Sequence, residues 1–493
     1  MDDGPVEAGR AVRRGLSWGA APAGAFAQPP APPAARAGEQ ELAFLERELR
    51  EWEHSRARRS QLMGELYYLG EQRILRRVRT VIGPEGVPVE VRNLPNARLL
   101  DNQYARLLDQ KVNYLLGKPP VFAGEDRAAA AAVQETLGPQ FFRALRGMAH
   151  DALAGGTGWL FVSPGEQGGL RLRRFRPWEV LPFWADESRT ELEAALRVWE
   201  REEDRGGRRV RAGYAELYTE EGVYRFRREG RALVREKPFF SPYVRADTGA
   251  RQLDLCWGRL PLLAVKNGPA GMPLLARVKS LQDAVNLILS NFVNAMQEDP
   301  RNTILVLVNY DGQNLGEFRR NLAAYGAVKV RSDAGAPGGD VRTLTMEVNA
   351  DNYKAVLELL KRAMVENARG YDARDLRAAG TPNEMNLRSV FSDIDLDADM
   401  LEAEFQSMFR SLLPFVRACL ANEGRPAGEA PVSLVFRRNT IVNEEQVIGS
   451  VAQSAGFLSQ ETLLAHHPWV EDVQREQERL AQENKTGKEG ETE

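Results

Sequence analysis

Cysteine and histidine are scarce in this chain of 493 residues: there are two Cys, Cys256 and Cys419, and four His, His54, His150, His466 and His467. The two thiols lie far apart and share no neighbourhood with metal-ligand spacing. A disulfide-stapled secreted mini-fold is excluded, and buried thiols in a reducing compartment are expected. No histidine sits in HExxH or beside a cysteine, so no zinc site is expected. Uninterrupted apolar runs of about 18 residues are missing too, which excludes a membrane-spanning helix. The opening MDDGPVEAGRAVRRG sets acids before its arginines and has no apolar stretch, so no signal peptide is expected and the chain reads as made and kept in the cytosol. GxxxxGK followed by Ser or Thr does not occur. The segment Ala154-Gly155-Gly156-Thr157-Gly158 has no Lys and runs into a strand, so a P-loop motor is excluded. GxSxG is also absent, and no carboxylate pair with a lysine on adjacent strands suggests a nuclease. The expectation is a protein that is not an enzyme and needs no metal or cofactor. Nor is charge of one sign in excess: 66 Lys and Arg face 69 Asp and Glu, a net charge of -3. A surface built to grip nucleic acid carries a basic footprint, so any contact with DNA here is local or weak.

What is present is an ordinary globular composition, 43% hydrophobic and 27% charged, with enough chain for two to four packed units. Residues 1 to about 38 are rich in Ala, Pro and Gly and read as a flexible arm. Leu42, Phe44, Leu45, Leu49 and Trp52 recur at helical spacing on a charged background. Leu99, Ala105, Leu108, Val112 and Leu115 predict a second helix, stopped by Gly117 and Pro119, and another helical patch covers Phe141 to Ala154. From Trp159 to about Pro261 the period is two. YTEEGVYRF and FRREGRAL each place Glu-Gly between alternating runs, so a β-rich unit of short antiparallel strands is expected.

The segment from Met272 is the most informative. Leu274, Val278, Leu281, Val285, Ile288, Phe292 and Met296 form a sustained apolar stripe, while Gln282, Asn286, Ser290 and Asn294 follow one another at i+4 on another face. That neutral polar face implies contact with neighbouring helices or a water-filled interior, unless the helix simply faces solvent. An α/β insert follows, with strands at TILVLVN and VRTLTMEV, and a second helix, ADNYKAVLELLKRAMVENARGYD, runs back. An outgoing rod, a small β-bearing module and a returning rod suit an assembly element. A loop without periodicity leads to a long helix from Met385 to about Leu420, striped by Leu387, Phe391, Ile394, Leu401, Phe405, Phe409 and Leu412, with Pro414 expected to kink it. VSLVFRRNTIV reads as a strand returning to the β unit. Short helices, one capped at Ser459, and a charged tail end the chain.

Asp393, Asp395, Asp397, Asp399 and Glu404 fall at positions 1, 3, 5, 7 and 12 of a calcium-type loop. Ala398 occupies the position that needs Gly and the flanks keep helical period, so a solvated or inter-subunit acidic stretch on the long helix is the preferred reading. The arginines at 171–176, 205–211 and 225–228 alternate with apolar residues among glutamates, as on a solvated sheet face. Arg369, Arg374, Arg377 and Arg388 surround the loop that carries Asn383 and Asn386. They could touch a phosphate backbone intermittently or serve only as solubility charges.

The stretches LLDNQYARLLDQKVNYLLGKPP, RVKSLQDAVNLILSNFVNAMQEDPRNTILVLVNYDG, GGDVRTLTMEVNADNYKAVLELLKRAMVENARGYD, MNLRSVFSDIDLDADMLEAEFQSMF and LSQETLLAHHPWVEDV resemble the portal proteins of tailed bacteriophages, in the branch from siphophages and prophages of Gram-positive hosts. The resemblance covers about Leu62 to Leu480; the N-terminal arm departs from it. It implies an α+β, portal-type subunit with a wing over 39–271, stem helices over 272–299 and 350–371, and a clip over 300–349. A tunnel loop would occupy 372–384, a long helix and strand returning to the wing 385–442, a crown 443–480 and a charged tail 481–493. It also implies a ring of twelve copies at one capsid vertex, in the host cytoplasm during assembly and then in the virion, with double-stranded DNA in transit. The large terminase subunit, head-tail connector proteins, and the major capsid and scaffolding proteins would be its partners. DNA-facing residues would be Arg374, Arg377, Thr381, Asn383, Asn386 and Arg388, and the clip would dock partners through Tyr310, Asp311, Glu317, Arg319 and Arg320. The stripe Gln282, Asn286, Ser290 and Asn294 would line the stem without gripping DNA. The alternatives are a DNA-processing enzyme of the capsid, or a scaffold or interaction protein without DNA contact.

Overall fold

The computed structural model describes residues 39–298, 304–308, 340–344, 349–372, 384–438 and 444–482, apart from 83–85, 92–93, 166–168, 248–251, 256, 426–427, 429, 471–472 and 474–475. They form an α+β chain that divides into two compact units, one of residues 1–51, 109–271 and 369–493, the other of 52–108 and 272–368. Helix α1 (Glu39–His54) opens the described chain and α2 (Arg56–Tyr68) follows it.

The first unit holds the expected β-rich section. Strands β6 (Val180–Trp184), β7 (Leu192–Arg205), β8 (Arg208–Tyr218), β9 (Gly222–Glu229) and β10 (Ala232–Pro242) make one antiparallel meander in sequence order. Both Glu-Gly signals mark hairpins: β8 turns into β9 across Thr219–Gly222, and β9 into β10 at Gly230, whose φ is +65°. A third hairpin joins β7 to β8 through Gly206 and Gly207, both at positive φ, the backbone that two-residue turns of right-twisted strands require.

After an antiparallel ribbon of β11 (Val244–Asp247) and β12 (Gln252–Leu255), a second sheet has the order β13 (Leu262–Lys266), β4 (Thr157–Pro164), β5 (Leu170–Phe175). Trp159, Phe161, Phe175 and Tyr218 build the core here, with the Phe161 ring 5.0 Å from Tyr218 and 5.4 Å from Phe175. The helix predicted over Phe141–Ala154 is the second part of α4 (Arg127–Gly155), which leaves helical geometry at Gly138, just before Pro139. Gly158 of β4 lies so close to α4 that a Cβ there would sit 2.4 Å from the Met148 carbonyl oxygen. Gly158→Ala is therefore expected to cost about 3 kcal/mol, because the obstacle is backbone and cannot swing aside; a thermal midpoint unchanged within 1–2 °C would contradict this packing.

Helix α7 (Glu384–Asn422) buries Phe391, Ile394, Leu401, Phe405, Phe409 and Leu412 and runs through Pro414 as one helix. Strand β16 (Val432–Val435) pairs with β3 (Val121–Gly124). Near its end α7 carries Cys419, whose thiol is pushed up to about 11 by burial and by Glu423 beside it. Relative to an ordinary thiol the thiolate is about a hundredfold rarer near pH 8, so slow alkylation is expected at Cys419 in the native protein and rapid alkylation after unfolding, read by mass spectrometry of that peptide. The sign is that of a raised pKa: the neutral form suits the fold, and stability falls as pH rises from 9 through 11. After α7, helices α8 (Glu444–Gln453) and α9 (Gln460–His466) follow; Ser459 caps α9 by accepting the Thr462 N–H.

The second unit is built on α5 (Leu275–Glu298) and α6 (Ala350–Ala368), which pack together, Phe292 meeting Tyr353 with ring centres 5.0 Å apart. Between them in sequence, β14 (Ile304–Val308) pairs antiparallel with β15 (Asp340–Leu344). The unit also contains α2, a 3-10 turn at Arg73–Arg76, the ribbon β1 (Thr80–Ile82) and β2 (Pro88–Glu90), and the start of α3 (Gln103–Leu116). The helix predicted from Leu99 begins only at Gln103. Asn102 caps it by accepting the Ala105 N–H through its side chain, and Leu99 lies before the helix on an irregular strap.

Candidate functional site

Helix α5 carries two stripes, and their exposure inverts what their polarity suggests. Gln282, Asn286 and Ser290 are fully buried and Asn294 is 3% exposed, whereas Leu287 of the same helix is 43% exposed and Met296 56%. The polar stripe holds the strap that precedes α3. Asn294 Oδ1 accepts the Ala97 N–H at 2.7 Å, Ser290 Oγ the Leu99 N–H at 3.0 Å, Asn286 Oδ1 the Asp101 N–H at 2.9 Å and Gln282 Oε1 the Tyr104 N–H at 2.9 Å. The match is geometric. Four residues of helix rise about 6 Å, and two residues of extended chain about 6.6 Å, so a side chain at every fourth helical position meets every second strap amide. The last step spans three residues because the strap is by then turning into α3.

A buried network completes this ladder. Asn286 Nδ2 donates to Gln72 Oε1 at 2.6 Å, and Gln72 Nε2 donates to the Tyr67 carbonyl and to Asn102 Oδ1. Gln282 Nε2 donates to the Asp101 carbonyl at 2.8 Å, and the Asp101 carboxylate takes Lys361 of α6 at 2.7 Å. At the other edge of α5, Asp283 accepts from the Tyr67 hydroxyl and from Lys279, both at 2.7 Å. Burial and the Asp283 carboxylate hold the Tyr67 hydroxyl protonated to higher pH than usual, and it acts as a donor. A water-filled interior for the Gln282–Asn294 stripe is thus corrected: these side chains are consumed inside their own unit, capping backbone that would otherwise be buried without partners.

In the first unit the acidic run of α7 is an ion-pair spine. Asp397 accepts from Lys111 Nζ at 2.8 Å and from Arg369 at 2.9 Å; Asp395 accepts from the Tyr114 hydroxyl at 2.6 Å and from Arg438 at 2.7 Å. Asp399 and Glu402 also pair with Arg438, and Glu404 accepts the Lys266 N–H. No group of acids able to hold a metal ion occurs among the described residues. Three of the five acids in the calcium-type spacing, Asp395, Asp397 and Asp399, are thus taken by the side-chain cations Lys111, Arg369 and Arg438.

The spine also fixes the residues that enter the loop after α6. Lys111 Nζ donates to the Arg369 carbonyl at 3.0 Å, where Arg369 adopts a left-handed φ of +51°. The Gln110 amide closes both backbone groups of Tyr371, donating to its carbonyl at 2.9 Å and accepting its N–H at 3.1 Å. The Tyr371 ring meets Phe391 edge-on at 4.7 Å, and Tyr114 stacks on Phe391 at 5.8 Å. Arg374, Arg377, Thr381 and Asn383 lie outside the described residues. Asn386 and Arg388 lie in the first turns of α7, their side chains outside the description. Tyr310, Asp311, Glu317, Arg319 and Arg320 are likewise outside it.

Sequence reasoning missed the partners of both arrangements: Gln72, Asn102 and the strap on one side, Gln110, Lys111 and Tyr114 on the other. It also passed over residues 56–79, where seven arginines face two glutamates, a net charge legible by counting.

Residues 49–490 match the phage portal protein family described as SPP1 Gp6-like. Among curated proteins, the portal protein of Bacillus phage SPP1 is 25% identical over 426 residues, 86% of this chain and 83% of the relative. The portal protein of Clostridium phage phiCD119 is 24% identical over 441 residues, 87% of this chain and 94% of the relative. Among solved structures, a chain from the neck of an empty gene transfer agent particle shares 13% identity and a TM-score of 0.39 over 78% of this chain and 94% of its own.

Proposed function

This chain belongs to the SPP1 Gp6-like family of phage portal proteins, and on that premise we propose that copies of it form a ring at one capsid vertex through which double-stranded DNA is packaged and ejected. As a portal protein it is a structural component of the virion and not an enzyme. The observation that carries the ring is the inverted exposure of the α5 and α6 pair. The polar stripe of α5 is used up internally, while Leu287 and Met296 of α5 and Val356 and Leu359 of α6 stand 42–67% exposed, as suits helices that finish their packing against other copies.

In this reading α5 and α6 are the stem, 300–349 is the clip that docks the terminase and later the connector proteins through Tyr310, Asp311, Glu317, Arg319 and Arg320, and 443–480 is the crown. The loop at 372–384 faces DNA with Arg374, Arg377, Thr381 and Asn383, and Asn386 and Arg388 stand just beyond it at the start of α7. Twelve copies at the vertex would also meet capsid and scaffolding proteins. Because the polar stripe is buried, low grip on DNA must come from other surfaces of the stem than the one the sequence suggests.

Electron micrographs of the purified protein should show rings with a central hole; monomers or dimers at every salt and protein concentration would overturn the proposal. Neutralising Arg374 and Arg377 together should change DNA packaging while rings persist, which separates a conduit from a scaffold that never touches DNA.

A further inference from the structure

The most unusual surface of the second unit is a band formed by α2, the 3-10 turn and the strap. On α2 the exposed positions Arg56, Arg59, Met63 and Leu66 recur at three and four residues and define one face. That face continues into Leu69, which is 62% exposed. The strap adjoins it: a Cβ on Gly70 would touch the Leu100 side chain at 3.1 Å, and Arg98 donates to the Leu75 carbonyl at 3.2 Å. Leu75 and Leu100 are themselves 41% and 37% exposed.

Guanidinium groups flank this apolar middle, Arg56 and Arg59 at one end, Arg73, Arg76 and Arg98 at the other, all exposed. Among the described residues none of the five has a carboxylate partner, in a protein whose net charge is -3. The backbone groups of Arg98 and Leu100 make no hydrogen bond among the described residues either. By contrast Arg197 pairs with Glu179, Arg225 with Glu216 and Arg438 with three acids.

We propose that this band is a docking surface for an acidic amphipathic segment of another protein, its leucine-type side chains covering Met63, Leu66, Leu69, Leu75 and Leu100 and its carboxylates meeting the flanking arginines. Charge complementarity selects the occupant. Five unmatched cations around an apolar strip ask for a ligand that is both anionic and apolar. A nucleic acid offers the charge, but single strands stack on aromatic rings that this band lacks, and a duplex presents phosphates with no apolar surface to cover exposed leucines and a methionine.

The test uses the full chain and fluorescence anisotropy with three labelled probes: a helical peptide of glutamate and leucine, a glutamate-only peptide of the same length and charge, and a random-sequence DNA duplex. The glutamate-leucine peptide should bind at least about tenfold more tightly than either other probe. Its affinity should fall by about tenfold or more in Leu66→Ser/Leu69→Ser and in Arg73→Glu/Arg76→Glu. Arg59→Glu, on regular helix, provides an independent variant should either double variant unfold. Equal binding of the glutamate-only peptide or the duplex, untouched by the serine variants, would reduce the band to a general polyanion surface and overturn the proposal. So would absence of peptide binding. A change in oligomeric state caused by Arg73→Glu/Arg76→Glu would also overturn it, by placing the band between copies of this chain, whereas rings that persist without binding the peptide would refute the docking surface alone.

Discussion

Asn286→Leu is expected to destabilise the unit of residues 52–108 and 272–368 by about 4 kcal/mol, although it puts an apolar residue of similar size at a fully buried position. The side chain it removes accepts the Asp101 N–H and a Gln282 amide hydrogen and donates to Gln72. Each group left behind is sealed from water and costs about 1–3 kcal/mol, and the loss exceeds any gain in apolar burial because the members of a buried network depend on one another. The next residue makes the control. Leu287→Gln changes an apolar side chain to a polar one at a position 43% exposed, and should cost only about 0.5 kcal/mol. Denaturant midpoints rank the two, and hydrogen exchange at the Ala97, Leu99, Asp101 and Tyr104 amides locates the damage. If Asn286→Leu cost less than Leu287→Gln, or left the Asp101 amide as protected as before, the ladder would not be what holds the strap.

The contrast shows what the sequence could and could not convey. A run of Gln, Asn, Ser and Asn at i+4 announces one face of a helix, and α5 does present them on one face. Periodicity reports that residues share a face but not what lies against it, and the usual rule that polar faces meet water points the wrong way here. The missing information sits about 190 residues earlier, in a strap whose only sequence signal is a broken helical pattern near Leu99. The β meander was legible because its turns are local: Glu-Gly between alternating runs needs no distant partner. The acidic run of α7 was visible as a charge pattern. Its meaning depends on Lys111, Arg369 and Arg438, which no spacing rule connects to it. The family resemblance supplied the portal reading from long ungapped stretches, but it also drew the polar stripe toward a water-filled lining that its burial excludes.

The second large effect is expected at Lys111, whose side chain is 4% exposed and lies between Asp397 and the carbonyl of Arg369. Lys111→Met should cost about 3 kcal/mol, because Asp397 loses the buried ammonium 2.8 Å from it and the Arg369 carbonyl loses its donor at the end of α6. Asp397→Asn should cost as much or more, since it removes the carboxylate charge 2.8 Å from an ammonium group that is almost wholly buried. The double variant Lys111→Met/Asp397→Leu separates the worth of the pair from the harm of breaking it. A buried pair replaced by apolar side chains of similar size is often neutral, so the double variant should recover to within about 1–2 kcal/mol of the parent, giving a coupling of about 2 kcal/mol or more. Arg369, 45% exposed on its side chain, is then free to be solvated. The exchange rate of the Tyr371 amide, which donates to Gln110, reports whether the entry to the loop loosens in step with stability. Additive single effects with no recovery would mean that Lys111 acts by packing alone. Recovery of stability without recovery of Tyr371 protection would show that the ion pair sets the backbone at the loop entry, a role apolar contacts cannot take over because they have no direction.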